Sequence, residues 1–278
     1  KLLIKGDFAP LDDVAKQRLS SFLKSAQIPM TLPQIISFRL SLLQQKTMFN
    51  HIRLQRSSKR IYQAYKDGQD ILSLSKQIDC PPMSVFRMIL GEMNYGKSKI
   101  KNCMSDHTNL LSQRERDEFV VARANDFNAV VNEKKLRVLA EEFEDIMGQW
   151  LTGRGISFVR EKQMAKEQHE EFGRTILTPD FLLLDDVTIN GKSVGWIDCK
   201  AFYGSDIPFN VKKMTKQMKR YRNHWGDGCI VYLQGFCDAI VVEGCTLLNA
   251  YGILGDDEVL SSLDENITDA INSDAREE

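Results

Sequence analysis

Apolar residues follow a helical spacing through the first part of the chain and contract to short strand-like runs in the second. Leu11, Val14, Ala15, Leu19 and Phe22-Leu23 keep a 3.6-residue period that Ile28-Pro29 breaks. Thr31-Leu32-Pro33 restarts a helix, with Thr31 placed to cap it and Ile35, Ile36, Phe38, Leu40, Leu42 and Leu43 as its buried surface. Residues 70–78 read as a short helix with Ile71, Leu74 and Ile78 on one face. Asp79-Cys80-Pro81-Pro82 turns the chain, and residues 83–90 form a second helix ended by Gly91. Residues 96–101 read as a lysine-rich linker and residues 119–131 as helical. A longer stripe (Leu136, Leu139, Phe143, Ile146, Met147, Trp150) predicts a helix over 133–151, with Gly153 and Gly155 at its end. Strands are expected at 156–159, 229–233 and 239–243, with a helix over 207–223.

The stretch from Leu177 to Lys200 organises the rest. It reads as two apolar strands joined through Asn190-Gly191, the dipeptide suited to a tight type I′ turn. Side chains alternate along a strand, so Trp196, Asp198 and Lys200 share one face. Closing the hairpin brings Asp180 beside Asp198 and Lys200. Glu144, about 100° around its helix from Phe143, can face the sheet. Glu141 and Glu142 are rivals for that place. The helix after the hairpin carries Lys212, Lys213, Lys216, Lys219 and Arg220 with no acid among them, which makes it a phosphate-contacting surface.

Composition narrows the picture only a little. With 42% hydrophobic and 27% charged residues in 278, the composition is that of an ordinary globular chain. No apolar run is long enough to span a membrane. The start, Lys1-Leu2-Leu3-Ile4, lacks Met and soon turns polar, as expected of a trimmed N-terminus without a secretory signal. The six cysteines include no CxxC pair and read as free thiols. The overall charge of −1 hides a split. Residues 255–278 hold nine acids and one Arg, so the preceding 254 residues carry +7, a balance that suits a nucleic-acid-facing body. The expected organisation is an N-terminal helical region over 1–50, a second helix-turn-helix region over 51–105, a catalytic α/β domain over 106–254 and an acidic tail over 255–278.

Two carboxylates and an ammonium at one sheet edge suit metal-assisted phosphodiester hydrolysis, with Mg²⁺ or Mn²⁺ held by Asp180 and Asp198. Glu144 would serve a second ion or a metal-bound water. Lys200 would orient or deprotonate the attacking water and stabilise negative charge. The ordered set of a helix Glu, Pro179-Asp180 and Asp198-x-Lys200 resembles the PD-(D/E)XK nuclease superfamily, which includes archaeal Holliday-junction resolvases and RecB-type nucleases. Gln217-x-x-x-Tyr221 is similar to the element that RecB-type members carry on the helix after the lysine. More narrowly, Thr178-Pro179-Asp180-Phe181, Trp196 to Ala201, Gln217…Tyr221, Ile230-Val231-Tyr232 and Gly235-Phe236 resemble the eukaryotic TPD-motif, codanin-1-interacting nuclease family. Members of that family carry Glu where this chain has Asp198, and the superfamily pattern admits both. The resemblance implies a restriction-endonuclease-like core, a mixed central sheet flanked by helices, preceded by an all-α helix-turn-helix region. It also implies a Mg²⁺-dependent nuclease acting on nucleic acid, DNA foremost, with Gln217 and Tyr221 among its catalytic residues. A nuclear or cytoplasmic location and a codanin-1-like partner follow from the same likeness. Two other readings compete. One is a catalytically silent nuclease-fold scaffold for DNA or a protein. The other is a transcription regulator, weakened because Arg87 is the sole basic residue of the would-be reading helix.

Overall fold

The computed structural model describes residues 4–105, 107–131, 133–255 and 258–272; the first three residues of the N-terminal expectation lie outside them. It is a mixed α/β structure that divides into two compact units, residues 1–29, 39–132 and 271–278 in one, and 30–38 and 133–270 in the other. The two units adjoin in the sequence at 132/133.

The first unit is helical. α1 (Asp13–Ser25) starts at Asp12, whose carboxylate accepts from Ala15 N. α2 (Leu32–Arg56), whose residues up to Phe38 belong to the second unit, opens with the expected cap: Gln34 N donates to Thr31 Oγ1 and Thr31 N to Gln34 Oε1, a reciprocal pair. α3 (Ser58–Lys66), α4 (Ile71–Ile78) and α5 (Pro82–Glu92) follow. Asp79 takes the left-handed conformation between α4 and α5, and Pro82 begins α5, so the predicted helix, turn and helix all form. α5 is the core of this unit, however. Its Val85, Phe86, Ile89 and Leu90 are fully buried among Ile61, Ile71, Leu74 and Phe119, and the exposed remainder is little more than Arg87 and Gly91. Such a helix packs its own domain and offers no broad face to a groove.

The chain continues through α6 (Lys97–Ser105), α7 (His107–Leu110), α8 (Gln113–Ala124) and α9 (Phe127–Val130). The expected linker is thus largely a helix, which buries Cys103; lysines on its surface masked the pattern. All six cysteines are free. Among the described residues no helix is long and apolar enough to cross a membrane.

The second unit is built on α10 (Glu133–Gly153), β1 (Phe158–Arg160), α11 (Glu161–Phe172), β2 (Phe181–Ile189), β3 (Lys192–Lys200), α12 (Pro208–Trp225), β4 (Gly228–Tyr232), β5 (Cys245–Asn249), α13 (Ala250–Leu254) and α14 (Glu258–Asn272). The strands form one sheet in the order β1-β2-β3-β4-β5, antiparallel up to β3 and parallel from β3 to β5. Asn190 and Gly191 have φ of 52° and 75°, the two positive values that a type I′ turn requires. The expected strand at 239–243 is instead part of the connection from β4. Ile240 and Val242 are buried and Val241 exposed, which gave the alternation, but the ladder partner of β4 begins at Cys245, after Gly244 turns the chain at φ 73°. The stretch read from charge as a tail is helical over Glu258–Asn272. Leu260, Leu263 and Ile267 are buried, and Asp264 accepts from Gln234 Nε2 at 2.6 Å. Its acids obscured a helical stripe of apolar residues.

Candidate active site

The hairpin register fixes where the acids fall. Phe181 pairs with Ile197 and Leu182 with Trp196, so continuing the ladder by one residue sets Asp180 opposite Asp198. Asp180 Oδ2 accepts from the backbone N–H of Cys199 at 2.6 Å. The strand that carries Asp198 and Lys200 therefore also anchors the first carboxylate.

The turn leading into β2 is held from several sides. Pro179 is buried. Thr178 donates through its hydroxyl to Glu161 Oε1 at 3.2 Å, and its carbonyl accepts from Tyr221 Oη at 2.8 Å. Glu161 N donates to the Asp180 carbonyl at 3.2 Å. One residue back, Gln168 of α11 accepts from Ile176 N and Leu177 N and donates to the Leu177 carbonyl at 2.6 Å. Arg220 Nη2 donates to the Ile176 carbonyl at 2.7 Å. Two helices thus satisfy the peptide groups of a segment that belongs to no regular element.

Asp198 is 1% exposed, and Lys200 Nζ ion-pairs with its Oδ2. The pair is close, but Oδ2 receives no well-directed hydrogen bond. Burial, then the charge of Asp198, pushes the Asp180 carboxyl well above the usual range, with Lys200 pulling the other way. Burial opposes the charge of Lys200, yet Asp198 and Asp180 together outweigh it and hold the ammonium above its ordinary pKa.

Of the three rival helix carboxylates only Glu144 is partly buried, and its charge adds to the rise at Asp180 after burial and Asp198. Burial raises its own pKa, assisted by Glu161 and opposed by Arg160, which lies 3.7 Å away. Glu141 is exposed and paired with Lys162 at 3.3 Å, and Glu142 is exposed as well. Gly148, one turn on in α10, faces the Phe181 ring, where an added Cβ would make an ordinary contact of 3.4 Å with Cε1, so this turn of the helix lies on the hairpin.

Gln217 and Tyr221 are engaged with structure. Gln217 Nε2 donates to Tyr221 Oη at 2.9 Å, and the Tyr221 ring meets Trp196 edge-on at 5.2 Å. Burial raises the Tyr221 hydroxyl to about 12, with Asp198 adding to the shift. These two residues brace the Thr178 turn. Lys212, Lys213, Lys216, Lys219 and Arg220 are all exposed on α12, and Arg220 also serves the Ile176 carbonyl.

Sequence reasoning missed Gln168 and Glu161 because α11 buries only Met164 and so shows no apolar period. Its helix-favouring Glu, Lys, Gln and Ala, closed by Gly173 at φ 71°, were the available signal.

Among the described residues no three His, Cys, Asp or Glu side chains are already gathered as a metal-binding set. The donors that fit a hard cation are the adjoining pair Asp180 and Asp198. Mg²⁺ characteristically takes one or two carboxylates and completes its shell with water and phosphate oxygens.

No solved structure matches the chain. It is 25% identical over 195 residues to CDAN1-interacting nuclease 1 of Danio rerio, covering 63% of this chain and 61% of that protein. To the Homo sapiens protein of the same name it is 25% identical over 191 residues, covering 63% and 65%. It is also 28% identical over 114 residues to Uncharacterized protein L539 of Acanthamoeba polyphaga mimivirus, 40% of each chain. The chain thus spans a little under two thirds of the length of its curated nuclease-named relatives. Residues 111–250, half of the chain and the whole hairpin with its flanking helices, match the family described as "Protein of unknown function TPD sequence-motif", and to that family the chain belongs.

Proposed function

We propose that this chain is a metal-dependent nuclease of PD-(D/E)XK type, hydrolysing phosphodiester bonds in nucleic acid, DNA foremost. The observation that carries the reading is the convergence of Asp180 and Asp198, with Lys200 against them, on the hairpin that the TPD turn opens. Relatives named as nucleases support it. So does the chain order: Glu144 on α10, Asp180 at β2, Asp198 and Lys200 on β3, then the basic α12.

Asp180 and Asp198 would hold Mg²⁺ or Mn²⁺, with Glu144 as a further carboxylate for that site. When bound, the metal supplies Lewis-acid stabilisation of the phosphate and a hydroxide near neutral pH. Lys200 adds positive charge where the phosphate becomes more negative. Tyr221, Gln217 and Gln168 keep the Asp180 turn in place, and the exposed lysines of α12 draw in the phosphate backbone. The helical unit is assigned to binding nucleic acid or a partner. A codanin-1-like protein is the partner that the relatives' name suggests, and action in the nucleus or cytoplasm goes with it.

The test is cleavage of labelled single-stranded, duplex, flap and junction DNAs and RNAs with Mg²⁺, Mn²⁺ or EDTA. It compares wild type, Asp198→Asn and Asp198→Ala. Cutting that needs metal and is lost in both variants is the expected result. No cutting on any substrate, with binding unchanged by the substitutions, would leave the chain a nuclease-fold scaffold.

A further inference from the structure

From Val14 to Lys66 the sequence holds ten lysines and arginines and not one aspartate or glutamate. Three of those cations find acids from outside the stretch: Lys16 with Asp13 at 3.3 Å, Arg39 with Asp7 at 3.6 Å and Lys46 with Asp79 at 2.7 Å. Arg53, Arg56, Lys59 and Arg60 are exposed, and among the described residues none of them meets a carboxylate.

Their placement is specific. At 100° per residue, Met48, Ile52, Arg56, Phe49 and Arg53 fall within one arc of roughly 140° on α2, opposite the buried Leu43 and Leu54. Met48, Phe49 and Ile52 are 54%, 68% and 59% exposed, a large apolar display for one helical face. Arg53 and Arg56, in the last turn of α2, suit its negative end. Lys59 and Arg60 do not have that explanation. They stand in the first turn of α3, the positive end of a helix, where no acid offsets them. Ser57 at its N-cap makes no side-chain capping bond either. Cations on an uncapped helix start raise the potential there, and an incoming anion reverses that cost.

We propose that this face of α2 and α3 binds single-stranded nucleic acid, Arg56, Lys59 and Arg60 taking phosphates and Phe49 stacking on a base. Unpaired bases expose the ring faces that an aromatic with apolar neighbours can use, whereas a duplex hides them. The inference rests on the reading that the chain acts on nucleic acid. It uses no residue of the candidate active site.

The test is fluorescence anisotropy of the full chain with fluorescein-labelled oligo(dT) and oligo(U) in EDTA, titrated with NaCl. Circular dichroism verifies that each variant is folded. Arg56→Gln/Lys59→Gln/Arg60→Gln should lower the slope of log K against log salt by about 2, since each single-strand phosphate contact contributes about 0.7. Phe49→Ala should weaken binding roughly tenfold and leave that slope unchanged. Wild-type affinity and slope in both variants would overturn the proposal. So would loss of sedimentation with phosphatidylserine vesicles in the triple variant while its oligonucleotide binding stays intact, which would make the face a lipid-binding one. Binding through this face by a chain that cuts nothing would support the proposal and remove the nuclease reading. Metal-dependent cutting, with both variants binding normally, would do the reverse.

Discussion

Replacing Gly228 with alanine would drive a methyl group into the indole of Trp196. A Cβ at that position would lie under 3.0 Å from Cε2, Cδ2 and Cζ2 of the ring, against an ordinary carbon contact of about 3.5–4.0 Å. Neither side can yield by that much. Gly228 is fixed by the β4–β5 ladder and by its N–H to the Gly244 carbonyl at 2.9 Å. Trp196 is fully buried, and its Nε1 donates to the Gly226 carbonyl at 2.9 Å. Overpacking a well-filled core costs about 1–3 kcal/mol, and this clash belongs at the upper end. A loss of about 3 kcal/mol lowers Tm by roughly 10 °C for a unit of this size. Trp196→Leu removes Cε2 and Cζ2 and by itself costs about 3 kcal/mol in cavity and hydrogen bond. The double variant, however, gives the new methyl somewhere to go, so it should be at least about 1 kcal/mol more stable than the sum of the singles. Urea unfolding of the four proteins closes the cycle. Gly228→Ala within about 0.5 kcal/mol of wild type, or strict additivity, would refute the reasoning.

Further consequences can be measured on the same protein. Tyr221→Phe removes the hydroxyl that links Gln217 to the Thr178 carbonyl; it should cost about 1 kcal/mol of stability and lower the cleavage rate with little change in substrate affinity. A rate equal to wild type would show that the brace does not position Asp180. Asp126 in the helical unit is pushed up to about 6 by burial, while its carboxylate accepts from Met83 N and Asn128 N. Because the folded carboxyl holds its proton more tightly than the unfolded one, stability falls as pH rises from about 4 to 6 and is lowest above that window, by up to about 3 kcal/mol. Asp126→Asn should flatten that part of the urea-midpoint profile, and an unchanged slope would contradict the assignment. Gly191→Val places a β-branched residue at φ 75°, so it should destabilise the hairpin by about 1–2 kcal/mol, read from the thermal midpoint.

The hairpin was legible because its information is local: Asn190-Gly191 dictates the turn, and strand alternation puts Asp198 and Lys200 together. The cap at Thr31 and the stripe of α10 were equally plain. What the pattern hid depends on packing partners. Residues 239–243 alternate as a strand does, but among the described residues no strand pairs with them. The region of α14 looked like a tail because its acids dominate, although a period of Leu260, Leu263 and Ile267 runs beneath them. At the site, the acids of the motif could be named in order, whereas the roles of Tyr221, Gln168 and Glu161 arise only when α11 and α12 meet the Thr178 turn.

The bond from the Cys199 amide to Asp180 bears on how freely this motif can vary. The middle position of Asp-x-Lys contributes a peptide N–H, which nearly every amino acid supplies, so the contact survives a change of side chain. Proline is the exception: without that hydrogen, Asp180 would lose its anchor on the neighbouring strand. Members of the family can therefore keep this contact with different residues at that position, but not with proline.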